Sequence, residues 1–119
     1  MHNQFQIQGA CLTVMLPAEL DHPAADRIRM ETDRILGRCY IKTIVFDFQN
    51  TAFMDSSGIG MIMGRYKALG MRTGCVRAVN MNDYVGKILQ LSGLYKVIEI
   101  CGRQEKPETR KGEKNGRYE

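Results

Sequence analysis

Residues 53–67 read FMDSSGIGMIMGRYK, and the fold can be built outward from them. Just upstream, residues 41–50 (IKTIVFDFQN) are a compact run of branched and aromatic residues. This is the near-continuous apolar pattern of a central strand covered on at least one face. Past Ser57 the period changes. Ile59, Ile62, Met63 and Tyr66 recur at the i, i+3, i+4, i+7 spacing of a buried helical stripe, while Met61, Arg65 and Ala68 fall on another face. Asp55, Ser56, Ser57 and Gly58 therefore mark a junction from strand to helix.

The flanking chain repeats this alternation. Phe5 and Ile7, then Leu12, Val14 and Leu16, alternate on either side of Gly9 and predict an antiparallel hairpin. Residues 19–38 (ELDHPAADRIRMETDRILGR) offer Asp21 and His22 at a cap and Pro23 in a first turn. Ile28, Ile35 and Leu36 supply apolar contacts and Gly37 a stop, so a helix is expected over about 23–36. TGCVRAV (73–79) reads as a strand, NDYVGKILQLSG (82–93) as a helix with an Asn cap and Gly93 near its stop, and KVIEI (96–100) as a last strand. The order ββαβαβαβ predicts a single small α/β domain over residues 1–102. Its sheet is mixed and mainly parallel, with an N-terminal hairpin and helices packed on it. Residues 103–119 are almost devoid of apolar side chains and read as a charged, disordered tail.

Composition narrows the functions open to such a domain. The 119 residues are long enough for a core without metals or disulfides, and 44% hydrophobic with 25% charged residues is ordinary for a globular chain. No run approaches the roughly 18 apolar residues of a membrane span. The opening MHNQFQIQG has neither a basic nor an apolar export region, so a cytoplasmic protein is expected. Cys11, Cys39, Cys75 and Cys101 are too scattered, and His2 and His22 too distant from them, for metal-ligand spacing. The net charge of +4 divides equally between the tail and the rest, and no basic patch is interleaved with aromatics, which argues against direct nucleic-acid binding.

Two adjacent serines at one helix start have four readings. A helix cap needs only one such residue, and Asp55, Ser56 and Ser57 are three. A nucleophile, Ser56 with His22 as base, would make the chain a small serine hydrolase, but no Gly-x-Ser-x-Gly elbow surrounds either serine. A phosphate-binding loop lacks its Gly-Lys-Ser/Thr sequence, and the Gly-Ile-Gly lies inside the helix. A serine that itself receives phosphate fits best: about −1.5 to −2 charges would sit at the positive end of a helix, beside Asp55, and alter the surface while sparing the fold.

With ELDHPAAD (19–26) upstream and LSGLYKVIEI (91–100) downstream, this stretch resembles the anti-sigma factor antagonists of the STAS domain family, those of sporulation most of all. The resemblance implies that the first serine after the aspartate, Ser56, is phosphorylated, with Ser57 its neighbour and Gly58 admitting a partner closely. It implies a cycle in which the unphosphorylated protein binds an anti-sigma factor that is itself a serine kinase and so frees the sigma factor. The kinase then uses ATP to phosphorylate Ser56, and a metal-dependent serine phosphatase restores the active form. The antagonist itself would hold no cofactor and catalyse nothing. Asp21 corresponds to an acidic contact for the kinase. Met61 and Arg65, one helical turn apart, extend that surface on our reading of the helix. A module of a general stress-response switch is the nearest alternative. One departure is the charged tail with Pro107, where members of the family often carry an apolar C-terminal helix.

Overall fold

The computed structural model describes residues 4–101, so the expectations for the tail, and for a terminal helix in it, lie outside the described residues. Strands β1 (Phe5–Gln8) and β2 (Cys11–Met15) form the antiparallel hairpin, turning through Gly9 at φ +63°, a conformation that glycine adopts at little cost. There follow β3 (Glu19–Leu20), α1 (His22–Arg38), β4 (Thr43–Asp47), β5 (Phe53–Met54), α2 (Ser56–Ala68), β6 (Val76–Val79), α3 (Asp83–Leu91) and β7 (Glu99–Ile100). The main sheet has the order β1-β2-β4-β6-β7, parallel at every pairing after the hairpin. Strand alternation sends Leu12, Val14, Ile44, Phe46, Val76 and Ala78 to one fully buried face. There they form one core with Ile28, Ile62, Val85 and Leu89 of the three helices. No helix among the described residues is long and apolar enough to cross a membrane.

The structure departs from expectation in four places. Helix α1 runs through Gly37 and ends where Cys39 turns extended, its N–H still bonded to Ile35 O. Glycine inside a helix costs only about 1 kcal/mol, and Ile35 and Leu36 of the last turns pack against the core. The last strand is short, because Leu94–Lys96 form a 3-10 turn after Gly93 at φ +84°. A second, two-stranded parallel sheet, β3 with β5, was not foreseen.

The fourth departure corrects the surface assigned to α2. Met61 and Arg65 are buried, at 4% and 5% exposure, and do not form an open face. Helix α2 is covered by the sheet on one side and by α1 on another, so its buried arc, Gly58, Met61, Ile62 and Arg65, is wider than one apolar stripe. The Arg65 guanidinium donates to Thr32 Oγ1 at 3.1 Å and to the Asp33 carboxylate, tying α2 to α1. Asp33 is itself half exposed and lies 3.6 Å from Arg29, so it is not left buried and alone if Arg65 is replaced. Arg65→Met, which retains most of the volume, should therefore change stability by no more than about 1 kcal/mol. Arg65→Ala, which leaves a cavity, should cost about 2–3 kcal/mol. Equal urea midpoints for the two variants would contradict this.

Candidate functional site

Because β2, β4 and β6 are parallel, the three junctions that lead from them into helices open at the same end of the sheet. Each helix starts with a side-chain cap. Asp21 accepts from Ala24 N at 3.2 Å, Asp55 from Ser57 N at 2.8 Å, and Asn82 from Val85 N at 2.7 Å. The β3–β5 ribbon brings the first two junctions together, since Glu19 pairs with Phe53 and Leu20 with Met54, and Asp55 N donates to Leu20 O at 3.3 Å. Asp21 and Asp55, both half-buried, follow these paired residues directly.

The two serines are not equivalent. Ser56 is the first residue of α2 and is exposed. Ser57 is half-buried, and its Oγ lies 3.3 Å from His22 Nδ1, with either the ring or the hydroxyl donating. The hydrolase pairing of Ser56 with His22 is thus not made: the imidazole meets the other serine, and the Asp21 carboxylate that would orient it caps α1. Gly58 is buried, and a Cβ there would stand 2.7 Å from Met54 Cγ and 2.9 Å from Leu20 Cδ2. Its missing side chain lets α2 settle on the chain's own ribbon.

Beside Ser57 a groove of about 310 Å³ runs between His22, Asp26 and Arg29 of α1 and Ser57, Gly60 and Met61 of α2. Met61, though buried, contributes to its lining. On the rim the hydrogen bond from Arg29, 2.8 Å long, and then the Arg29 charge hold the Asp26 carboxyl below the usual carboxylate range. The surrounding electrostatics are one-sided. Segments 17–26, 43–64 and 79–86 contain Glu19, Asp21, Asp26, Asp47, Asp55 and Asp83 but no lysine or arginine. A chain with net charge +4 therefore gathers six of its thirteen carboxylates into the segments around this end of the sheet.

Sequence reasoning located Asp21, Asp55 and the serines but missed the ribbon that joins them. A signal existed: Leu20-Asp21 and Met54-Asp55 are the same apolar-acid step immediately before a helix.

This junction, with an exposed serine between an acidic cap and a close-packed glycine, occurs in a fold with clear relatives. The STAS domain matches residues 3–106. The anti-sigma F factor antagonist of Paenibacillus polymyxa is 40% identical over 89 residues, covering 75% of this chain and 76% of the relative. The anti-sigma factor antagonist SpoIIAA in its unphosphorylated form superposes with a TM-score of 0.73 at 29% identity, over 89% of this chain and 90% of that one. The phosphorylated form of the Bacillus cell fate determinant SpoIIAA gives 0.64 at 27% identity, over 89% and 93%. Both the extent of the match and the identity place this chain in the STAS domain family.

Proposed function

We propose that this protein is an anti-sigma factor antagonist whose unphosphorylated form binds an anti-sigma factor with serine kinase activity and frees the sigma factor. Phosphorylation of Ser56 switches it off. The observation that carries this reading is the contrast between the serines: Ser56 is open to a kinase at the start of α2, whereas Ser57 is half-buried against His22. The helix start stabilises an added phosphate through its dipole, so the fold tolerates the modification. The protein acts by binding and holds no cofactor. ATP is consumed by the kinase, a metal-dependent serine phosphatase resets the switch, and the whole cycle runs in the cytoplasm with neither membrane nor nucleic acid touched by this chain.

Asp21 carries two roles in this account, cap and acidic contact. Asn caps a helix as well as Asp does but lacks the charge, so Asp21→Asn separates them. The variant should keep the wild-type melting temperature and bind the ADP-loaded kinase about five- to tenfold more weakly, the scale of about 1–1.4 kcal/mol for one charge-assisted contact. Calorimetric titration checks this, and an unchanged Kd would leave Asp21 as a cap alone. Absence of any complex between the wild-type protein and its host's anti-sigma kinase would overturn the proposed function.

A further inference from the structure

Phe53 and Tyr84 stack with ring centroids 6.4 Å apart and planes inclined by 20°, yet they remain 41% and 48% exposed. Exposed apolar side chains occur elsewhere on this chain, Tyr40 and Leu91 among them, but here two rings from different elements are set together, and both are held firmly. Ala52 N and Phe53 N both donate to Ala18 O, at 2.9 and 3.1 Å, which anchors β5. Tyr84 lies in the first turn of α3, whose cap Asn82 also donates from Nδ2 to Thr51 O at 3.2 Å. The flanks are acidic. Glu19 is the register partner of Phe53 and Asp83 precedes Tyr84, both exposed. The first basic residue of α3 is Lys87, on the following turn.

We propose that the Phe53–Tyr84 pair, with Glu19 and Asp83, is a docking platform for an arginine side chain of the anti-sigma kinase. This rests on the proposed function above and extends it to a second contact. A guanidinium is the chemistry that fits: it stacks flat on an aromatic face while its N–H groups reach carboxylates at the edge. The acidic end of the sheet draws such a cation and disfavours an acidic partner. The platform stands three residues before Ser56, roughly 10 Å along an extended chain. An arginine seated there would hold the kinase in place while Ser56 faces the nucleotide.

The test measures affinity for the host's ADP-loaded anti-sigma kinase at several salt concentrations. Tyr84→Ala should bind roughly tenfold more weakly, Tyr84→Phe nearly as well as wild type, because the ring face is what the cation uses. Glu19→Gln with Asp83→Asn should weaken binding about three- to tenfold and flatten the salt dependence. All of these variants should remain folded at the temperature of the assay, as circular dichroism checks. Affinity of Tyr84→Ala within twofold of wild type would overturn the platform and leave the proposed function standing. A wild-type protein that self-associates while Tyr84→Ala stays monomeric, with kinase affinity intact, would assign the surface to a second copy and overturn it too. A wild-type protein that fails to bind the kinase would overturn both.

Discussion

Ser56→Ala is expected to bind the anti-sigma kinase and never be released, so that sigma-dependent transcription becomes constitutive. The hydroxyl it lacks is exposed at the first position of α2 and shared with no backbone cap, because Asp55 supplies that cap. The fold should therefore not notice the change. Ser56→Asp adds one negative charge beside Asp55 and should bind at least tenfold more weakly than Ser56→Ala, about 1.4 kcal/mol. The direction follows from like charges brought together at a closed interface, where Asp55 already stands beside the new carboxylate. Calorimetry with the ADP-loaded kinase reads both variants, and equal affinities would remove charge repulsion from the mechanism.

Gly58→Val should be the most destabilising single change at the site, by about 2–3 kcal/mol, with a fall in melting temperature of roughly 10–20 °C. Even a Cβ would stand 2.7 Å from Met54 Cγ and 2.9 Å from Leu20 Cδ2, so α2 must lift off the ribbon or both side chains must move. Gly64, six residues along the same helix, is the control. A Cβ there meets nothing within 4 Å, and Gly64→Ala should stabilise by about 0.5–1 kcal/mol through helix propensity alone. Thermal unfolding of the two variants decides the point. If Gly58→Val melts with the wild type, the close contact does not position Ser56. Because that contact sets the depth of α2 on β3 and β5, the same substitution should also slow phosphorylation of Ser56.

The parts of this fold that were legible in the sequence are those governed by a single period. The hairpin at Phe5–Met15, the central strand at Thr43–Asp47 and the helix capped by Asn82 all announce themselves through alternation or a cap. Helix α2 announced itself by its period but not by its buried face, because two different neighbours bury it and an arginine stands in its buried arc, where apolar periodicity has no means of finding it. Arg65 looked like surface by residue type and is core by partnership with Thr32 and Asp33 on a helix thirty residues away. Gly58 was recognised as a close-approach position, but which surface approaches depends on the β3–β5 pairing. Two-residue strands carry too little pattern to be read before the partners are known. The site residues fared better where chemistry is local. Asp55 and Asp21 cap the helices they precede, and the distinction between Ser56 and Ser57 required His22 to arrive from a different junction.

The central claim is that Ser56 is the switch. Incubating the protein with its host's anti-sigma kinase and ATP, then locating phosphate by fragment mass spectrometry, tests it most directly. The account predicts one phosphate per chain, on Ser56, and none on Ser56→Ala. Phosphate on Ser57 in the wild-type protein, or phosphate retained by Ser56→Ala, would contradict it.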